Sequence, residues 1–136
     1  MDPILVDTSA LYALLDADDA EHLRARRIWE EQLVEGDAEL VVTSYVVAES
    51  FDLVRRRLGF EAVRSLDRLL DDGMRVVFVD EELHDAARAR FFSAGRRALS
   101  LVDCSSIALA QERGIKQIFA FDAHFEQAGL EMLVAS

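Results

Sequence analysis

The sequence contains a single cysteine, Cys104, and no apolar run that approaches the roughly 20 residues of a membrane-spanning helix. One cysteine cannot form an intramolecular disulfide, and such sparing use of cysteine is typical of a reducing compartment. The N-terminus, Met1-Asp2-Pro3, lacks the basic start that opens a secretory signal. We therefore expect a cytoplasmic protein without a membrane segment.

Positive charge is also scarce, since the formal net charge is −11 and the sequence pI is about 4.6. All 15 basic residues except Lys116 are arginine, a bias that fits genome composition and also the bidentate binding of phosphate. Proteins that bind nucleic acid by general electrostatic attraction present basic patches, so the composition argues against that mode. It leaves open an acidic enzyme site that acts through metal ions.

Short apolar runs alternate with helical patterns along the chain, without internal repeats, linkers or Asn-Gly hairpin signals. At 136 residues, 51% of them hydrophobic, the sequence predicts one globular domain over 1–136. The predicted strands are 4–6, 39–42, 75–79, 117–121 and 131–134. The predicted helices are 10–15, 20–35, 45–58, 60–70, 80–92, 100–113 and 122–127. Such alternation predicts an α/β fold in which helices wrap a parallel sheet.

The opening strand ends at a carboxylate. Ile4 to Val6 form a continuous apolar run, Asp7 follows it, and Thr8 and Ser9 are good N-cap residues for the next helix. Ligands of open α/β sheets bind at the carboxyl edge of the strands. A carboxylate is costly to bury there without a cation or hydrogen-bond donors. Asp7 is therefore the first candidate for a functional site.

Four more acids are expected at the same edge. Asp80 and Asp122 follow strands, Glu49 lies about one turn into the helix after the second strand, and Asp103 lies in the first turn of a helix beginning near Ser100. Each of three has a structural alternative, because Asp80 and Asp122 could be N-caps and Asp103 could complete a capping box with Ser100. Glu49 fits such an alternative least, since it interrupts an apolar stripe.

A cluster of carboxylates favours a particular chemistry. Carboxylates that meet at one sheet edge repel each other unless they are protonated or bridged by metal. Mg²⁺ and Mn²⁺ take oxygen ligands, and Mg²⁺ keeps several of its waters. Such a site suits phosphodiester hydrolysis, because the metal activates water and stabilises the charge that develops on phosphate.

Four segments together resemble a PIN-domain ribonuclease, and most of all the VapC toxins of bacterial and archaeal toxin–antitoxin pairs. The segments are VDTSAL at 6–11, VVAES at 46–50, SLVDCSSIALA at 100–110 and FDAHF at 121–125. The resemblance implies a three-layer α/β sandwich with a short, mostly parallel five-stranded sheet flanked by helices. It also implies cleavage of RNA that depends on Mg²⁺ or Mn²⁺, a homodimer, and an antitoxin protein as partner.

The family's acid quartet is carried over to positions that match its motifs. The catalytic and metal-binding residues implied are Asp7, Glu49, Asp103 and Asp122. The resemblance further implies that Thr8 or Ser9 orients Asp7 or a bound water. Asp80 matches no catalytic position and is returned to a capping role.

Two groups of arginines are left with open roles. Many family members carry an Asp-Lys pair shortly before the Ser-Leu-x-Asp motif, whereas this chain has Gly95-Arg96-Arg97, which keeps positive charge. Arg55-Arg56-Arg57 ends a predicted helix, where cations complement the helix dipole. The alternative for this triplet is a contact with phosphate or with a partner.

Some reactive side chains are given structural roles. Cys104 has no evident histidine partner, and neighbouring carboxylates would raise its pKa, so it is predicted to pack in the core. His22, His84 and His124 lack the spacing of zinc ligands. Of these, His124 is predicted to make a structural hydrogen bond.

Two other functions are compatible with parts of the sequence. A phosphoacceptor receiver domain would need paired acids after the first strand and a lysine after a late strand, whereas Asp7 is single and Lys116 precedes its strand. The second rival keeps the fold as a non-toxic or catalytically weak module for RNA processing or protein interaction. The complete acid quartet argues against that rival, and a metal-dependent RNA cleavage assay distinguishes all three.

Overall fold

A computed structural model describes residues 2–95 and 99–135. In this part of the chain the strands are β1 (Pro3–Val6), β2 (Glu39–Thr43), β3 (Met74–Val77), β4 (Gln117–Phe119) and β5 (Glu131–Met132). The α-helices are α1 (Thr8–Leu15), α2 (His22–Ile28), α3 (Ser44–Leu58), α4 (Phe60–Gly73), α5 (Glu81–Ala94), α6 (Leu101–Arg113) and α7 (His124–Gln127). A π-helical segment, Trp29–Val34, continues directly from α2.

The five strands form one sheet in the order β3-β2-β1-β4-β5, and all four strand pairs are parallel. In the central pair, Val6 of β1 lies opposite Phe119 of β4. Parallel pairing brings the carboxyl ends of β1 and β4 to the same edge, so the residues that follow them become neighbours. The predicted parallel α/β sheet is confirmed.

Helices cover both faces of the sheet. Successive side chains of a strand point to opposite faces, and on β1 Val6 packs with Leu11 and Phe119, whereas Leu5 packs with Ile107 on the other face. All five side chains are at most 1% exposed. Strand β1, in the middle of the sheet, is therefore covered on both faces, as the predicted three-layer sandwich requires.

The predicted single helix over 20–35 is wrong in its second half. The α-helix ends at Ile28, and Trp29–Val34 forms a π-helix, whose wider turn shifts the phase of the side chains. Val34, which the α-helical pattern places on the apolar side, is 61% exposed, whereas its neighbour Leu33 is 8% exposed. Leu23, expected on the same side, is 78% exposed, although it lies in α2 before the π-helical segment. Ile28 keeps its predicted place in the core.

Several predicted boundaries are wrong by a few residues. Helix α4 continues through Gly73 rather than ending at residue 70, and α5 continues to Ala94. Strand β4 ends at Phe119 rather than at residue 121, because the N–H of Phe121 donates to the Ser9 hydroxyl instead of pairing in the sheet. The chain thus leaves the sheet where the candidate site begins.

Within the described ranges, no helix combines the length and apolarity needed to cross a membrane. Gly95 ends α5 with a φ of 64°. The adjoining Arg96 and Arg97, which keep positive charge before the Ser-Leu-x-Asp motif, lie outside the described residues.

Candidate active site

Asp7 joins the end of β1 to the start of α1. Its Oδ2 accepts hydrogen bonds from the backbone N–H of Ser9 (3.1 Å) and from Ser9 Oγ (2.7 Å). Asp7 is therefore the N-cap of α1, and the prediction of Thr8 or Ser9 as the cap is wrong. The Asp7 carboxylate takes the capping role because its Oδ2 accepts both of these hydrogen bonds from Ser9. Only 2% of Asp7 is exposed.

The two neighbours of Asp7 tie it to different parts of the fold. Ser9 Oγ also accepts from the N–H of Phe121, at 3.1 Å, and so links Asp7 to the segment after β4. Thr8 Oγ1 instead accepts from Ser50 Oγ on α3, at 3.3 Å. Of the two supporting residues named from the resemblance, Ser9 contacts the Asp7 carboxylate directly and Thr8 fixes α1 against α3.

One oxygen of Asp7 has no partner. Oδ1 is buried and accepts no hydrogen bond from any described residue. The pKa of Asp7 is raised from 3.8 to about 6. Burial is the largest cause, the two hydrogen bonds from Ser9 oppose it, and the charges of Asp103 and Asp122 add to the rise. An unsatisfied carboxylate oxygen beside other acids is the environment that a divalent cation would relieve.

Asp103 has two roles at the start of α6. Its N–H donates to Ser100 Oγ (3.0 Å) and its Oδ2 accepts from the Ser100 N–H (3.1 Å), so the predicted capping box is present. The cap does not bury the side chain completely, since 12% of it stays exposed. Asp103 also contributes to the raised pKa of Asp7, which places both carboxylates in one electrostatic cluster.

Asp80 and Asp122, the other two acids with a capping alternative, differ in the structure. Asp80 caps α5 as predicted, because its Oδ1 accepts from the N–H of Leu83 at 2.9 Å. Asp122 is not an N-cap, since α7 has Ala123 at that position and no side-chain cap. The Asp122 carboxylate is left exposed and available for another role.

The structure brings all four acids of the predicted quartet to one cavity of about 330 Å³. Asp7 and Asp122 come from the ends of β1 and β4, Glu49 from the second turn of α3, and Asp103 from the first turn of α6. Asp80, returned to capping above, does not line this cavity. The carboxyl edge of a parallel sheet thus gathers residues that are far apart in sequence.

Further lining residues were not predicted from the sequence. Asp19 and Glu21 reach the cavity from the connection between α1 and α2, Tyr12 from α1, and Arg57 from the last turn of α3. No short motif marks these positions, because they meet only when α1, α2 and α3 pack together. The helical period of α1 does place Tyr12 one turn after Thr8, on the same side as the site.

His124 corrects a prediction. Its Nε2 lies 3.3 Å from Asp103 Oδ2, yet it forms no hydrogen bond with any described residue. The ring instead packs on Phe125, with ring centroids 4.5 Å apart. The predicted structural hydrogen bond is therefore wrong, and the histidine faces an acid of the quartet. The FDAHF segment carries the signal, since it sets His124 two residues after Asp122.

Cys104 packs in the core as predicted, with no exposed surface. Burial raises the pKa of its thiol above the ordinary value, and the neighbouring Asp103 adds to this effect. The thiolate form is therefore disfavoured, which excludes Cys104 as a nucleophile near neutral pH.

The donor set suits a hard cation, although it does not form a complete cage. Among residues 2–95 and 99–135, no three His, Cys, Asp or Glu side chains stand in an arrangement that could hold a metal ion directly. The buried Asp7 Oδ1, which accepts no hydrogen bond from the described residues, would supply one oxygen ligand. Mg²⁺ is usually held by one or two carboxylates and several waters, so the residues present fit that mode.

Comparison with known proteins adds the family. The PIN-domain profile matches residues 4–130. The 23S rRNA-specific endonuclease VapC20 of Mycobacterium tuberculosis H37Rv is 34% identical over 128 residues, which cover 93% of this chain and 94% of VapC20. Ribonuclease VapC26 of the same strain is 29% identical over 131 residues, covering 90% of this chain and 89% of VapC26.

Solved structures show the same fold. The crystal structure of M. tuberculosis VapC20, described as a toxin that cleaves the sarcin–ricin loop, superposes with a TM-score of 0.88 at 31% identity, covering 96% of this chain and 98% of VapC20. VapBC2 of Rickettsia felis, bound to a promoter DNA fragment, gives 0.70 at 12% identity, covering 96% and 97%. FitAcB of Neisseria gonorrhoeae gives 0.65 at 18% identity, covering 96% of each chain, so these two show the fold alone.

Proposed function

Since this chain belongs to the PIN-domain family, we propose that it is a metal-dependent endoribonuclease that hydrolyses phosphodiester bonds and acts as the toxin of a toxin–antitoxin pair. The observation that carries the proposal is a cavity lined by four carboxylates, one of which, Asp7, has a buried Oδ1 without a hydrogen-bond partner among the described residues. The RNA-cleaving relatives named above support RNA as the substrate.

The residues of the cavity divide the work. Asp7 Oδ1 would bind Mg²⁺ or Mn²⁺ directly, and Glu49, Asp103 and Asp122 would hold it directly or through water. When bound, the ion activates a water molecule and neutralises the negative charge that builds on the phosphate. Ser9 keeps Oδ2 occupied and fixes the carboxylate, so that Oδ1 faces the ligand position. The low exposure of Asp7 strengthens the charge interactions there.

A protein partner follows from the toxin assignment. An acidic cavity on a chain of net charge −11 attracts basic segments, and we propose that an antitoxin places an arginine against the carboxylates. The guanidinium would supply the positive charge that metal supplies during catalysis. We further propose a homodimer that works in the cytoplasm, where RNA is accessible to it.

One observation favours a second candidate, a non-toxic or catalytically weak PIN module for RNA processing or protein interaction. No three acids of the described chain stand close enough to hold a metal directly. Such a module would bind RNA or protein with little turnover. The two candidates therefore differ in the rate of cleavage.

The proposal is tested by incubating the purified protein with labelled RNA in Mg²⁺, in Mn²⁺ and in EDTA. We expect cleavage in at least one metal and none in EDTA. Binding of RNA without product in either metal would favour the weak module, and neither binding nor product would contradict both candidates.

A further inference from the structure

Arg57 is placed differently from the two arginines that precede it. Of the described residues that line the acid cavity, Arg57 is the one cation. Its guanidinium lies over the ring of Tyr12, 5.5 Å from the ring centroid, and the side chain is exposed. The helix dipole accounts for a cation anywhere in the last turn of α3, but not for this position at the cavity.

The Tyr12 ring below Arg57 is fixed by burial and by a hydrogen bond of its hydroxyl. Tyr12 is 8% exposed, and its hydroxyl donates to Asp16 Oδ2 at 2.6 Å. A guanidinium over an aromatic ring keeps its N–H donors in its own plane, where they can reach a second acceptor. The charge of Arg57 also acts on the Tyr12 hydroxyl and on Asp16, so it is partly offset there. The exposed guanidinium is thus oriented by Tyr12 and still has donors that can bind an anion.

A second arginine stands over a second aromatic residue of the same cavity. The Arg24 guanidinium lies 5.2 Å from the ring centroid of Phe121, which lines the cavity beside Asp122. Arg24 is also 2.8 Å from a Glu21 carboxylate oxygen, so part of its charge is offset. The cavity rim therefore carries two arginine–aromatic pairs.

Resting on the proposed ribonuclease function, we propose that Arg57 binds an RNA backbone phosphate next to the scissile one, while Arg24 and Phe121 contact the neighbouring nucleotide. An acidic cavity repels RNA, and metal ions offset this only at the scissile phosphate. A cation at the rim is needed where the next phosphate passes. Aromatic rings paired with arginine are typical of surfaces that hold single-stranded RNA.

The chain offers a matched control for this proposal. The Arg64 guanidinium on α4 lies 5.2 Å from the ring centroid of Phe60, much as that of Arg57 lies 5.5 Å from the ring centroid of Tyr12, and both arginines are exposed. Arg64 also lies 3.4 Å from a Glu61 oxygen. Arg64 does not line the acid cavity. Arg64→Gln therefore removes the same kind of contact away from the site.

The test compares Arg57→Gln and Arg57→Lys with the control Arg64→Gln. Cleavage of RNA is measured with each single variant, and binding of RNA is measured with each substitution combined with Asp7→Asn. The probe is a fluorescein-labelled single-stranded RNA of about 12 nucleotides, within the usual site size, followed by anisotropy over a range of salt. We expect Arg57→Gln to raise KM and Kd about tenfold, since a charged hydrogen bond is lost, and to leave kcat within about twofold. The slope of log Kd against log salt should fall by about 0.7, the value for one phosphate of a single strand.

Arg57→Lys should recover part of the affinity, whereas Arg64→Gln should match the parent, and melting temperatures identify any variant that fails to fold. If the wild type cleaves RNA and Arg57→Gln matches Arg64→Gln in KM, Kd and salt slope, the inference fails and the nuclease function stands. If Arg57→Gln instead loses only the protein partner, the rim serves protein binding and the inference is overturned. A wild type that neither binds nor cleaves RNA removes the proposed function itself.

Discussion

Ser9 Oγ donates a 2.7 Å hydrogen bond to Asp7 Oδ2 and accepts one of 3.1 Å from the N–H of Phe121. The Ser9 hydroxyl thus links the segments that follow the neighbouring strands β1 and β4, which carry Asp7 and Asp122. The carboxylate is fixed through Oδ2, and the buried Oδ1 has no hydrogen-bond partner among the described residues. The two oxygens of one carboxylate therefore lie in different environments, one hydrogen-bonded and one able to accept a ligand.

Replacing Ser9 by alanine should lower both stability and activity. The variant loses the Oγ bond to Asp7 and leaves the Phe121 N–H without its acceptor, so we expect the free energy of unfolding to fall by about 1–3 kcal/mol. Cleavage should fall about tenfold, because the Asp7 carboxylate can then rotate. Ser106→Ala is the control, since its buried hydroxyl has no partner in the described chain. Equal effects of the two substitutions, in urea unfolding and RNA cleavage, would contradict the orienting role.

The raised pKa of Asp7 predicts a pH-dependent stability. The Asp7 carboxyl binds its proton more tightly in the folded protein than in the unfolded chain. Its stabilising contribution to the free energy of unfolding is therefore fully present below about pH 4 and is lost as pH rises through about 6. The rise from 3.8 to about 6 corresponds to about 3 kcal/mol. Asp7→Asn should therefore stabilise the metal-free protein at pH 7.5, by about 1–3 kcal/mol, and much less at pH 4.

Urea unfolding in EDTA at the two pH values measures this difference. Asp80→Asn is the control, because Asp80 caps α5 outside the cavity and should not stabilise at either pH. An Asp7→Asn variant less stable than the wild type at pH 7.5 would show that Asp7 is satisfied in the folded protein without metal.

Divalent metal should stabilise the wild type and not the Asp7 variant. A ligand that binds only the folded state raises its stability by about 2.7 kcal/mol at 100 times its Kd. We expect Mg²⁺ or Mn²⁺ to raise the melting temperature of the wild type, with little effect on Asp7→Asn. Thermal scans in which both proteins respond alike would place the metal elsewhere.

Expression in bacteria tests the toxin assignment. The protein alone should slow growth, and the product of an adjacent gene should neutralise it and copurify with it. Asp7→Asn should lose toxicity and still bind that product, because most of such an interface is apolar surface. No growth defect together with no copurifying neighbour would remove the toxin assignment and leave a non-toxic nuclease.

The sequence predicted the elements that depend on local pattern. The apolar run before Asp7 and the alternation of strands and helices were sufficient for the parallel sheet, and parallel topology places strand ends together. The Ser100–Asp103 capping box follows from a four-residue spacing, and the structure contains it. These features arise from near neighbours in the chain or from a fixed rule of topology.

The features that were missed depend on packing between distant segments. Arg57 approaches Tyr12 across more than 40 residues of sequence, and their contact requires α1 and α3 to pack side by side. The π-helical turn at 29–34 has no clear sequence signal, because its apolar residues also fit an α-helix. His124 was predicted to make a structural hydrogen bond, whereas its Nε2 lies 3.3 Å from Asp103 Oδ2 and forms no hydrogen bond with the described residues.

The proposed metal-dependent ribonuclease activity rests on the carboxylates that line the cavity with Asp7. The most direct test is the rate of RNA cleavage in Mg²⁺ or Mn²⁺ by the wild type, Asp7→Asn, Glu49→Gln, Asp103→Asn and Asp122→Asn, with Asp80→Asn as the matched acid outside the cavity. We predict losses of about 100-fold or more for the first three variants, a milder loss for Asp122→Asn, and a rate near that of the wild type for Asp80→Asn. Near-wild-type cleavage by Asp7→Asn, Glu49→Gln and Asp103→Asn would contradict the assignment of these carboxylates to the active site.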